Sequence, residues 1–221
     1  MENKSVSIVL MGAKRNEIFC VSDSRSTNTA DHSHEDSWKK IIKMKTRNMI
    51  LAVAGENSIK GTNILNIIEQ LELYDNNESK SNYDFLKYVT RYLILNKSEA
   101  GTINLFAGYF NDGIATIKSF DITPIEIIEN TYGNNQITFQ GAAYSNYLLK
   151  NFDCSMYSNA KEAIKYFSSF VEDVINLNEY LVDSPIGGYF QYETAVSEST
   201  DNFSDLFSKN VDAEQGSVTD V

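Results

Sequence analysis

Ile18-Phe19-Cys20-Val21-Ser22-Asp23-Ser24-Arg25 is the stretch on which the reading of this 221-residue chain turns. It begins as a short apolar run and ends abruptly on a carboxylate, a hydroxyl and a guanidinium. Taken locally, that is a strand finishing in a turn with an ion pair. Upstream, Ser5–Met11 is a second apolar run, and Lys14-Arg15-Asn16-Glu17 between the two predicts a β-hairpin with a four-residue turn. Downstream, residues 26–37 read as a polar loop carrying Asp31, His32, His34, Glu35 and Asp36.

Beyond the loop, Lys40, Ile42 and Met44 alternate with Ile41, Lys43 and Lys45, which predicts one half-buried strand. Met49–Ala54, unbroken and apolar up to Gly55, suits a strand covered on both faces. The period then changes. Ile64, Ile67, Ile68 and Leu71, and again Phe85, Tyr88, Val89, Tyr92, Leu93 and Leu95, follow helical spacing. Ile103–Phe110 and Ile114–Phe120 flank Asn111-Asp112-Gly113, a hairpin turn because these residues tolerate positive φ. Ile125–Ile128 and Ile137–Phe139 add short strands. After Gly141 helical spacing returns, first around Ala143–Leu148 and then over Ala163–Ile175. Ile186–Val196, opened by Gly187-Gly188, is a last strand. Antiparallel strands and helices in separate runs indicate an α+β layered fold with two sheets covered by helices. The folded domain spans residues 1–198, and residues 199–221, rich in Asp, Ser and Asn, form an acidic tail expected to be flexible.

Composition removes several function classes. With 19 Lys and Arg against 30 Asp and Glu, the chain carries a net charge of −11 and repels phosphate backbones. Two cysteines, Cys20 and Cys154, read as reduced thiols, and with two histidines they are too few for a structural zinc site. Neither a signal-peptide pattern nor an apolar run near the ~20 residues that span a bilayer is visible, so the expected location is the cytoplasm. His32 and His34 suggest a metal cluster, but without a further ligand the acidic loop is the better account. Glu126 and Glu129 fall on a strand and give a glycosidase reading no support, and Asn111-Asp112-Gly113 is a turn rather than a calcium loop. No cofactor and no metal are expected.

The run ending Asp23-Ser24-Arg25 resembles the second strand of proteasome β subunits, which are N-terminal-nucleophile (Ntn) hydrolases. Lys39-Lys40-Ile41-Ile42-Lys43-Met44 is similar to that family's lysine-bearing strand. Ala52-Val53-Ala54-Gly55 is similar to its substrate-binding turn. Phe106-Ala107-Gly108-Tyr109 with Asp121, Gln140-Gly141-Ala142-Ala143 and Asp183-Ser184-Pro185-Ile186-Gly187-Gly188 resemble its later motifs, in order. The resemblance spans residues 5–196 and implies a four-layer αββα sandwich of two antiparallel sheets.

It also implies a chemistry. The nucleophile is the hydroxyl of the mature first residue, and that residue's α-amine is the base. Counting back from Asp23 places the nucleophile on Ser7, with Ser5 as the alternative. Asp23 and Lys40 would take the electrostatic roles, Arg25 would brace Asp23, Gly55 would donate to the oxyanion, and Asp183 would support the site. The substrate would be a peptide or small amide, and the family's habit implies a homo-oligomer built as a ring or stacked ring. Three departures stand out. Val6 replaces the glycine that eases self-cleavage, and Ala142 and Ile186 replace polar residues that bond the terminal amine. They leave two alternatives: a non-catalytic subunit with an uncleaved N-terminus, working through self-assembly, and a binding module that kept the cleft alone.

Overall fold

Along Ile8–Met11 and Ile18–Val21 every side chain is apolar and buried, and successive ones face opposite ways. Ile8, Leu10, Phe19 and Val21 enter one apolar layer, whereas Val9, Met11, Ile18 and Cys20 enter another. A hairpin with no polar face must lie between two other layers. The computed structural model describes residues 7–27, 33–44, 46–74, 81–97, 101–140, 157–179 and 186–197. The expected helix near 143–148, the tail 199–221, and His32, Cys154 and Asp183 lie outside these residues.

The elements are β1 (Val9–Lys14), β2 (Glu17–Ser22), β3 (Ser26–Thr27), β4 (His34–Glu35), β5 (Ile41–Met44), β6 (Met49–Gly55), β7 (Ser58–Ile59) and β8 (Thr62–Asn63). Helices α1 (Ile64–Tyr74) and α2 (Asn82–Asn96) follow, then β9 (Ile103–Asn111), β10 (Ile114–Ile122), β11 (Ile127–Tyr132) and β12 (Ile137–Gln140). Helix α3 (Ala160–Glu179) and β13 (Gln191–Val196) complete the described chain. One antiparallel sheet runs β12-β1-β2-β13 and the other β11-β10-β9-β6-β5. Three apolar layers separate four structural ones. Ile64, Leu65, Ile68, Phe85, Val89 and Leu93 of α1 and α2 pack on β6 and β9. Phe167, Val171 and Val174 of α3 pack on β1 and β2. Ile50, Ala52, Ala54 and Phe106 meet Val9, Met11 and Ile18 between the sheets. The chain is therefore a four-layer αββα sandwich.

Several boundaries differ from the sequence expectation. Lys14 pairs with Glu17, so the first turn is Arg15-Asn16, with Arg15 at φ 55°, rather than four residues. β5 is not half-buried: Ile41 enters the layer between the sheets and Ile42 and Met44 the helix layer, leaving Lys43 exposed. β11 starts at Ile127 because Thr123 closes a turn on Glu126, which places Glu126 in that turn and Glu129 on the strand. The last strand starts at Gln191, since residues 186–190 bond to the Ser24–Arg25 turn before entering the ladder. The polar loop holds the short β3–β4 ladder. The Asn111-Asp112-Gly113 turn is as expected, with Asp112 at φ 47° and Gly113 at φ 78°.

Phe167 stacks on Phe19 at 5.8 Å between centroids and meets Tyr157 edge-on at 5.9 Å. Phe167→Ala is expected to cost about 3–5 kcal/mol through lost burial and a cavity, read as a lower urea midpoint at unchanged slope.

Candidate active site

At the end where β1 enters and β2 leaves the sandwich, the ladder extends one step past its assigned strands, because the Asp23 N–H donates to the Ile8 carbonyl at 3.3 Å. This puts the Asp23 carboxylate against the backbone of β1. Its Oδ1 accepts the Ile8 N–H at 3.0 Å, and Oδ2 accepts the Gly187 N–H at 3.3 Å. From the other sheet, the Lys40 carbonyl accepts the Val53 N–H at 3.0 Å, continuing the β5–β6 ladder back to the lysine. Lys40 thus stands at the corresponding end of the facing sheet. Its ammonium donates to Asp23 Oδ1 at 2.7 Å and to Ser7 Oγ at 3.0 Å.

Both charged side chains are 0 % exposed. The adjacent Lys39 is half exposed and pairs with Glu69 on α1 at 3.2 Å, so of two neighbouring lysines one is solvated and one is enclosed. Enclosure penalises each charge. Burial pushes the Asp23 carboxyl up, opposed by the Lys40 charge and by the N–H bonds from Ile8 and Gly187. Burial likewise pushes the Lys40 ammonium down, opposed by Asp23 and reinforced by the more distant Arg25. Each partner's charge favours the ionised form of the other against that burial.

Of the residues singled out from sequence, Ser7, Asp23 and Lys40 are brought together. Ser7 is 4 % exposed. Arg25 stands beside this cluster, against the Gly187 segment. Its guanidinium grips Asp36, Nε to Oδ1 at 2.6 Å and Nη2 to Oδ2 at 3.0 Å, and lies against Gly187, where a Cβ would collide with it. The Gly187 carbonyl in turn accepts the Ser24 N–H at 3.3 Å and the Arg25 N–H at 3.1 Å. Arg25 therefore shapes the backbone segment whose N–H reaches Asp23. Asp36 is held ionised below the usual carboxylate range by that guanidinium. Gly55 ends β6 at φ 76°, two residues past the Val53 that bonds Lys40, and a Cβ there would strike the Thr102 carbonyl. Beyond it Asn57 Nδ2 donates to Ser26 Oγ at 2.8 Å, linking that turn to β3. Ser5, Asp183 and the Gly141–Ala143 turn lie outside the described residues.

Sequence reasoning missed Ser24, Asp36 and Gln191 as members of this surround. Ser24 Oγ donates to the Asp36 carbonyl and accepts the Tyr189 N–H at 2.8 Å. Gln191 bonds the backbone of the lysine segment through its carboxamide. Asp36 sat among other acidic residues of a polar loop, and a lone glutamine at a strand start carries no local signal.

The layers, the strand order and this end of the sandwich define a proteasome-like αββα fold. Among solved structures it is similar to Anbu, a bacterial proteasome-like protein, from Hyphomicrobium sp. strain MC1. The Gly-1 mutant of that protein aligns with a TM-score of 0.57 and 14 % identity, over 97 % of this chain and 100 % of the other. Another Anbu structure from the same strain aligns with a TM-score of 0.55 at 14 % identity and the same coverage. The sequence matches no protein-family model and no curated protein. Among the described residues no helix is long and apolar enough to cross a membrane.

Lys40→Met leaves a buried carboxylate without its counter-charge and is expected to cost about 3–5 kcal/mol in urea unfolding. Adding Asp23→Asn should recover part of that loss. A double mutant less stable than Lys40→Met alone would contradict the buried-pair account.

Proposed function

We propose that this protein is an Ntn-type hydrolase of peptides or small amides, with Ser7 as nucleophile once residues 1–6 are removed. The observation that carries this reading is the buried Lys40 ammonium, which donates to Ser7 Oγ at 3.0 Å while Asp23 holds it at 2.7 Å. A cation bonded to a hydroxyl oxygen stabilises the alkoxide character that attack requires. A hydroxyl with no charged neighbour gains no such help.

In the reaction the Ser7 α-amine, freed by cleavage, takes the hydroxyl proton as Oγ bonds to the substrate carbonyl carbon. The C–N bond then breaks, and the leaving amine departs with that proton. Water next adds to the acyl ester, the Ser7 α-amine takes its proton and returns it to Ser7 Oγ as the C–Oγ bond breaks, and the carboxylic acid product leaves. Lys40 supplies positive charge next to Oγ, and Asp23 keeps Lys40 oriented. The Gly55 N–H serves the oxyanion and Asp183 supports the site from its own segment. Arg25 acts through the Gly187 segment. The protein works in the cytoplasm as a homo-oligomer, a ring or stacked ring.

One feature favours a second reading, a non-catalytic subunit with its N-terminus retained. Ile186 stands where the family resemblance expects a serine beside the amine, and its side chain is buried in the apolar layer under α3.

Intact mass spectrometry separates the two readings: loss of Met1–Val6 is expected of the hydrolase, and a retained leader of the subunit. In the cleaved protein an electrophilic peptide probe should label Ser7. Ser7→Ala should abolish labelling, and Lys40→Ala should slow it by about 100-fold or more. An adduct on Cys20 would refute the assignment. Because the base is an α-amine, the labelling rate should fall as pH drops below about 8.

A further inference from the structure

Among the described residues the segment that carries the lysine lies on the edge of its sheet, since β5 pairs with β6 alone. Among them β13 is likewise an edge, paired with β2 alone. β5 and β13 share no backbone ladder, yet the backbone of residues 38–40 is bonded almost throughout. The Trp38 N–H donates to the Ser24 carbonyl at 2.9 Å, the Lys39 carbonyl accepts Asn63 Nδ2 at 2.9 Å, and the Lys40 carbonyl accepts the Val53 N–H at 3.0 Å.

The two remaining bonds come from one side chain. Gln191 Oε1 accepts the Lys40 N–H at 3.1 Å, and Gln191 Nε2 donates to the Trp38 carbonyl at 2.7 Å. A carboxamide presents one acceptor and one donor side by side, as a peptide unit does, so it can replace a rung between strands whose backbones do not pair. The orientation of the amide is forced, because the Lys40 N–H can only donate and the Trp38 carbonyl can only accept. Gln191 is also fixed at its other end. Its main chain pairs with Ser22, the residue before Asp23. A single residue thus connects the strand leading to the carboxylate with the segment bearing the ammonium.

We propose that Gln191 is a positioning residue for the Lys40–Ser7 pair, setting through the backbone of residues 38–40 where the lysine ammonium stands against the serine oxygen. Its catalytic consequence rests on the hydrolase reading above; its structural part does not. The alternative is a plain seam between two sheet edges, which would affect stability without reaching the ammonium. The ammonium faces the Asp23 carboxylate and the Ser7 hydroxyl, with the Arg25 charge acting from farther away. Any change in its placement therefore registers in its own titration.

The test uses the full chain with lysines labelled at Cε, the Lys40 resonance being assigned by its loss in Lys40→Arg. Gln191→Leu removes both bonds at similar size, whereas Gln191→Asn keeps an uncharged carboxamide on a stem one methylene shorter, which weakens both. The Lys40 resonance is expected to titrate apart from the exposed lysines in wild type. In Gln191→Leu it should move toward them as the ammonium gains water, and in Gln191→Asn by less. Probe labelling of Ser7 should fall by about 10–100-fold in Gln191→Leu, as for a small displacement of a reacting group. An unchanged Lys40 titration in both variants would overturn the proposal, even if their urea midpoints fell. If Gln191→Leu does not fold, Gln191→Asn carries the same comparison. If wild type takes no label while the titration moves, the positioning stands and the hydrolase reading fails.

Discussion

The contact between Lys40 Nζ and Asp23 Oδ1, 2.7 Å long and sealed from solvent, is the constraint around which this end of the molecule is organised. Two ions taken out of water cost several kcal/mol each, and their mutual attraction offsets that only where the remaining bonding capacity is also filled. Here three groups supply such bonds: β1 offers the Ile8 N–H, the segment before β13 offers the Gly187 N–H, and a second N–H of the lysine goes to Ser7. A surface pair would hold no sheet in place. This one requires both sheets to end in register, because its members come from opposite sheets.

The layer between the sheets makes that reach possible. It includes five alanines, Ala13, Ala52, Ala54, Ala115 and Ala195, set among larger residues such as Val9, Met11, Ile18 and Ile50. Gly108 on β9 sits under Ile18 and Met11, and a Cβ there would come within 2.6 Å of Ile18 Cγ2. Small residues let the sheets approach, and a lysine side chain of ordinary length then spans from one to the other. Phe106 is buried within this layer, with Phe110 and Tyr132 packed against it, whereas Phe19, Tyr157 and Phe167 gather beneath α3.

Much of this was readable in the chain. Helical and strand periods located α1, α2 and the core of α3, and Asn111-Asp112-Gly113 fixed a turn by its tolerance of positive φ. Alternation put Lys40 on the same strand face as Ile42 and Met44, a face that α1 covers. What alternation could not show is that the lysine ammonium reaches Asp23 of the other sheet. The half-buried reading of β5 failed because Lys43 and Lys45 suggested a polar face that Ile41, on the same side, does not share. Gln191 and Gly187 were beyond local reading. Their partners lie 151 and 164 residues away, and such contacts exist only once topology has brought the last strand beside the second.

That separation has a consequence during synthesis. Asp23 and Lys40 leave the ribosome early, but the N–H from Gly187 and the carboxamide of Gln191 are made near the end of the chain. Until then β2 lacks its outer neighbour, and the carboxylate must keep water as its partner. A chain that lacks β13 therefore lacks both of these partners, and enclosure of the ion pair depends on residues far later in the chain than the pair itself.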